Sequence, residues 1–327
     1  MELPRPQACV PPRWARGGHP QTVFGHLLPS GGDPWEASST HEIELPDGDR
    51  LVARLVRPPA QTRIESEWLA LLFHGLGGSS EADYIRRTAT LCAARGYSVL
   101  AVNHRGCGAG EGLARGTYHS GRSDDVAACL AWADRETPHA KRVVIGFSLS
   151  GNATLLALAS QTQPLPDAAI AVNPPIDLAA ASRLISAGFN RAYEMRFVHH
   201  CRQGIRSRSA AGWLENPPSI PLRASLRDVD ELVTAPLGGF RDADDYYARC
   251  STHRLLNRIQ VPAVILSSRD DPFVPYEAFE SAELAPKVHL HLEAHGGHMG
   301  YLAARPTPLG TRRWLDYALD HYLANLE

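Results

Sequence analysis

Short, unbroken apolar runs alternate along most of this chain with stretches whose apolar residues return every three or four positions. "HEIELPDGDRLVARLVRP" holds two alternating runs about Asp47-Gly48-Asp49, the pattern of a β-hairpin. "WLALLFHG" is apolar up to its last residues and ends in glycine, which suits a strand covered on both faces. The helical stretch "DYIRRTATLCAARG" follows and closes at Gly96. Next come the strand "YSVLAVN", the glycine-rich loop "HRGCGAGEG" and the helix "SDDVAACLAWADRE", which opens on a capping serine. The strand "RVVIGF" runs into the helix "LSGNATLLALAS", and "DAAIAVNPP" supplies a sixth strand. The alternation breaks from about Pro175 to Ile259, where the pattern is helical and irregular. It resumes with the strand "PAVILSS", the helix "YEAFESAEL", the strand "KVHLHLEA" and the amphipathic helix "TRRWLDYALDHYLANL".

Buried strands alternating with helices predict an α/β fold: a mostly parallel central sheet flanked by helices, with a helical insertion after strand 6. Residues 1–40, rich in Pro and Gly and without clear period, are expected to form an arm packing on the body. Residues 41–175 and 260–327 would be the core, and 176–259 a helical cap insertion.

Composition narrows the field mainly by exclusion. At 327 residues and 44% hydrophobic, the chain can build one large domain with an insertion. With 33 basic against 35 acidic residues, nothing in the overall charge suggests a nucleic-acid partner or an anionic membrane surface. The basic stretch "HHCRQGIRSRS" reads as a solvated helix face. Six cysteines lie scattered with no CxxC pair, as expected in a reducing compartment. The start, "MELPRPQACVPPRW", has no apolar leader core, and no apolar run approaches the ~18 residues of a membrane span. The expectation is a soluble, cytoplasmic protein; its oligomeric state is left open.

Three predicted strand ends carry reactive side chains, where open α/β sheets bind ligands. Ser148 follows "VVIGF", Asp271 follows "VILSSRD", and His298 in "EAHGGHMG" follows "VHLHL". The order Ser, Asp, His is the one expected for an α/β-hydrolase triad, with nucleophile, orienting acid and general base in those roles. Gly146-Phe147-Ser148-Leu149-Ser150 matches the nucleophile elbow except that Ser150 replaces the second glycine. Asp270 and Asp177 are rival acids, and His295 is a rival base. His295 and His298, with His199 and His200, also form the weaker pattern of a metal site. "LLFHGLGGSS" places Leu76 after His74-Gly75, so the backbone N–H groups of Leu76 and Leu149 are candidate oxyanion donors. No Gly-Lys-Ser/Thr follows those glycines, and "GCGAGEG" lacks dinucleotide spacing, so no cofactor and no metal are expected.

The chain resembles the YheT-like branch of the α/β-hydrolase superfamily, which is related to mammalian α/β-hydrolase-domain lipid hydrolases. The residues that carry the resemblance are "GGHPQT", "HGLGGSSEADYI", "VNHRGC", "GFSLSGN", "VNPPIDL", "TAPLGGF" with "DDYYARCS", "DDPFVP" and "EAHGGHMGYL". The resemblance implies the α/β-hydrolase fold and carboxylic-ester hydrolysis by Ser148, Asp271 and His298. Its substrates would be small-molecule or lipid esters. A thioester, amide or lactone would suit the same triad, and a non-catalytic binding scaffold is the competing class. Within the insertion, Phe189, Tyr193, Phe197 and Trp213 either line an acyl pocket or pack the insertion on the body. "PLGGF" with "DDYYARCS" is expected to anchor its return to the sheet. "GGHPQT" has no explanation from the residues alone.

Overall fold

The computed structural model describes residues 1–28, 33–58, 67–138 and 140–326. Part of the predicted arm, residues 29–32, and three parts of the predicted core, 59–66, 139 and 327, lie outside the described residues. The hairpin expected about Asp47 is present. β1 (Ser39–Glu44) and β2 (Arg50–Val56) pair antiparallel, and Gly48 supplies the φ of 86° at the turn.

Six further strands complete one eight-stranded sheet: β3 (Trp68–Phe73), β4 (Ser98–Asn103), β5 (Lys141–Phe147), β6 (Ala168–Val172), β7 (Ala263–Ser268) and β8 (Val288–Glu293). Their spatial order is β1-β2-β4-β3-β5-β6-β7-β8, with β3 to β8 parallel and β2 antiparallel to its neighbours. The unbroken apolar run of β3 follows from this position. Ala70 and Leu72 pack into one core cluster, while Leu69, Leu71 and Phe73 pack into the other.

The helices follow from the same two-sided burial. α1 (Gly18–Leu27) belongs to the arm; α2 (Asp83–Ala94) covers one face of the sheet, and α3 (Ser123–Glu136) and α4 (Leu149–Ala159) cover the other. Between β6 and β7 lie α5 (Leu178–Ile185), α6 (Arg191–Ala210), α7 (Leu226–Val229), a π-helical stretch Asp230–Thr234, α8 (Ala235–Gly238) and α9 (Ala243–Cys250). α10 (Glu277–Glu280) and α11 (Trp314–Leu326) close the order, α11 beside α2. The helix expected over "YEAFESAEL" is a single turn, Glu277–Glu280, that stops at Ser281.

α1 was not legible as a helix. Gly18, Pro20 and Gly25 are poor helix formers, and tertiary bonds hold the segment instead. Gln21, fully buried, donates to the carbonyls of Ala15 and Leu302 and accepts from the Leu302 N–H. Further back, the Trp314 indole donates to the Gln7 carbonyl at 2.6 Å. Among the described residues no helix is long and apolar enough to cross a membrane.

Candidate active site

Ser148 sits between β5 and α4 with φ 53° and ψ −119°, a backbone conformation that only a constrained turn sustains. The turn needs small neighbours. A Cβ on Gly146 would lie 2.5 Å from the Ser150 carbonyl oxygen and 2.6 Å from Thr154 Oγ1. The Ser148 N–H is held by the Val172 carbonyl of β6 at 2.7 Å, so the serine stands at the carboxyl edge of the parallel strands.

His298 and Asp271 come to the same edge from the loops after β8 and β7. His298 Nε2 lies 2.9 Å from Ser148 Oγ, and His298 Nδ1 lies 2.8 Å from Asp271 Oδ2. Four donors meet that carboxylate. The N–H groups of Phe273 and Val274 reach Oδ1, and Asn173 Nδ2 joins His298 on Oδ2 at 2.6 Å. An acceptor-only carboxylate assigns the proton of His298 to Nδ1, which leaves Nε2 bare toward the serine hydroxyl.

The rival residues are engaged elsewhere. Asp270 Oδ1 accepts the N–H groups of Gly296 and Gly297 and so shapes the histidine loop. Asp177 caps α5 through the Ala180 N–H at 2.9 Å. His295 is half exposed and faces Asp270 at 3.4 Å. Among the described residues no group of three His, Cys, Asp or Glu side chains is disposed to hold a metal.

Two positioning residues escaped the sequence reading. Asn173, at φ 46° just past β6, ties Asp271 to the Gly297 carbonyl and accepts the Tyr301 hydroxyl. Its sequence signal was an asparagine at a strand end, just before Pro174-Pro175. Thr22 accepts the His298 N–H at 2.9 Å while donating to the Gly18 carbonyl. Gly18 itself packs so closely on the Asp270 carbonyl that a Cβ there would sit 1.7 Å from its oxygen. "GGHPQT" therefore joins α1 to the loops that carry Asp271 and His298.

Gly75 brings its backbone against the serine: a Cβ there would lie 3.1 Å from Ser148 Cβ. Leu76 and Leu149 both border the cavity beside Ser148, and Leu149 opens α4, where no preceding turn supplies its N–H with an acceptor. Ser150, the departure from the elbow pattern, is wholly buried. Its hydroxyl donates to the His74 carbonyl and accepts from His104 Nε2 at 2.6 Å. The His104 N–H in turn donates to His74 Nε2 at 3.2 Å. Burial holds the His74 imidazole down to about 4 and that of His104 well below its ordinary value, so both rings are neutral near pH 7.

A cavity of about 770 Å³ opens over Ser148 and His298. From the β6–β7 segment, Tyr193 and Phe197 line it; Phe189 is 88% exposed and Trp213 lies against the Gly112 carbonyl outside it. The basic stretch of α6 is not wholly solvated either. Arg208 is buried and donates to the carbonyls of Arg105, Gly116 and Gly204. "DDYYARCS" packs on α4, where Asn152 donates to the Cys250 carbonyl and accepts from Thr252 Oγ1; Tyr246 and Tyr247 also border the cavity.

The model of the α/β hydrolase fold matches residues 71–304, and the chain belongs to that family. Within it the chain falls in the YheT-like branch: it is 33% identical to YheT of Escherichia coli (strain K12) over 290 residues, 86% of this chain and 83% of that protein. It is 24% identical to the monoacylglycerol lipase of Saccharomyces cerevisiae over 268 residues, 78% of this chain but 58% of the yeast protein. The Pyrococcus furiosus esterase Pf2001 superposes with a TM-score of 0.58 at 16% identity, covering 91% of this chain and 97% of that one, a likeness of fold.

Proposed function

We propose that this protein hydrolyses carboxylic esters through an acyl-enzyme on Ser148. The reading rests on one observation: His298 bridges Ser148 Oγ at 2.9 Å and Asp271 Oδ2 at 2.8 Å. In this scheme His298 Nε2 takes the hydroxyl proton as Ser148 Oγ bonds to the ester carbonyl carbon, and Asp271 stabilises the imidazolium. The N–H groups of Leu149 and Leu76 stabilise the oxyanion. Collapse of the tetrahedral intermediate passes that proton to the leaving alcohol. Water then repeats the sequence on the acyl-enzyme, releasing the acid and restoring the serine.

The apolar wall given by Tyr193 and Phe197 supports an acyl chain as one substrate part, and the name of the yeast relative supports lipid esters. Residues 176–259 act as the cap, 41–175 and 260–327 as the core, and 1–40 as the arm. Six unpaired cysteines support a cytoplasmic setting.

Turnover of a nitrophenyl butyrate tests the scheme. Ser148→Ala should abolish it, His298→Ala should lower kcat roughly 10³-fold or more, and His295→Ala should stay near the parent rate. Hydrolysis by Ser148→Ala at the parent rate would sink the reading and leave a binding scaffold.

A further inference from the structure

Seven of the thirteen large apolar side chains exposed among the described residues lie on or next to α1, in the turn before it, or about the start of α6. Five belong to the arm: Trp14, Val23, Phe24, Leu27 and Leu28. Val23 and Leu27 form part of the cavity rim itself, and Phe24 meets Trp14 edge-on at 5.1 Å. The other two, Phe189 and Met195, flank the start of α6, which abuts α1 through the His19–Tyr193 ring stack and the His26–Arg196 contact. Phe189 stands edge-on to His19 at 6.4 Å. So dense a cluster on the surface of a folded chain marks a contact surface.

Exposed cations gather about its tryptophan and the start of α6. Arg13 and Arg16, both exposed, bracket Trp14, and exposed Arg196 stands across from His26. The acids of the mouth, Glu81 and Asp83, stand at the start of α2, with Asp83 in electrostatic reach of His26. A net charge of −2 does not show this local gathering of cations, because it averages over the entire surface. Exposed Trp, Phe and Leu interleaved with Arg is the chemistry of an element seated in a lipid headgroup region.

We propose that α1 and the turn before it dock on an anionic lipid surface, seating the mouth of the cavity on an interface that holds its ester substrate. What the docking delivers rests on the hydrolase reading; the docking itself does not. A second copy or a partner protein on this patch would close the entry to Ser148, whereas a lipid surface feeds it. α1 also bears on the chemistry, since Thr22 holds the His298 N–H.

The test uses the full chain as Ser148→Ala, so that lipid is not consumed. It is sedimented with vesicles of phosphatidylcholine alone and of phosphatidylcholine mixed with phosphatidylglycerol. The protein should partition onto the mixed vesicles, less so as salt rises. Adding Phe24→Ser and Leu27→Ser should lower that partition by roughly tenfold or more, with Tm little changed because both side chains are exposed. No partition of the parent, or equal partition of the variant, overturns the proposal. Self-association in sedimentation velocity that the two substitutions abolish would also overturn it, by assigning the patch to a second copy. Because binding is read with Ser148 replaced by Ala, this outcome is independent of whether the ester reading stands.

Discussion

Ser150 occupies a position where the elbow pattern calls for glycine, and its hydroxyl is what makes the replacement fit. Bonded to the His74 carbonyl and to His104 Nε2, it clasps the loop that bears Leu76 onto α4. Losing this clasp should loosen a donor that matters only once the oxyanion forms. Ser150→Ala should therefore lower kcat roughly tenfold per active site titrated with a fluorophosphonate, with KM within about twofold. An unchanged kcat per titrated site would reduce Ser150 to a packing residue. Asp271→Asn should lower kcat by roughly 10³–10⁴, through the wrong imidazole tautomer rather than through unfolding. A pre-steady-state measurement of acylation would read that loss. Ser148, Asp271 and His298 were visible in sequence because each follows an apolar strand run. Asn173 and Thr22 were not, since they act through bonds to residues 98 and 276 positions away.

The strands were legible for a related reason. β3, β5, β6 and β7 are apolar on both faces because helices cover both, so their runs show without any alternation. α1 lacked such a signal. Its helix is imposed by Gln21, Thr22 and the close approach of Gly18 to Asp270 and of Gly25 to Gly300, where a Cβ would lie 2.4 Å from the Gly300 Cα. Gly25→Ala should accordingly cost roughly 1–3 kcal/mol in chemical denaturation, whereas the same change on a free helix surface would stabilise. It should also slow ester turnover, because Gly300 belongs to the loop of His298. A neutral Gly25→Ala would mean that the arm is not held against that loop.

Taken together, the sheet, the arm and the β6–β7 helices bury imidazoles as neutral groups, and acid should expose this. His74 is held at about 4 against an ordinary value of 6.5, and His104 and His119 are also lowered, in each case chiefly by burial. Below pH 6.5 the unfolded chain takes up these protons and the folded chain does not, so stability falls as pH drops toward 4. The His74 shift alone corresponds to roughly 3 kcal/mol over that window. Asp230, Asp125 and Asp316 act in the opposite sense, their carboxyls raised by burial, that of Asp230 to about 6, but His26, His200 and His289 are lowered as well and add to the decline. Urea midpoints measured at pH 7, 5.5 and 4.5 should decline steadily. His74→Gln should flatten part of the decline, and a pH-independent midpoint would contradict this picture of the buried rings. A mostly parallel sheet could be expected from the alternating patterns, whereas the cavity could not, because its walls come from α1, α6 and α9 at once.

The decisive measurement is mass spectrometry of the intact chain after exposure to a fluorophosphonate, followed by peptide mapping. One adduct per chain, carried by Ser148 and lost in His298→Ala over the same exposure, is the expected result. A chain that stays unmodified, or an adduct that maps to any other residue, would contradict the account.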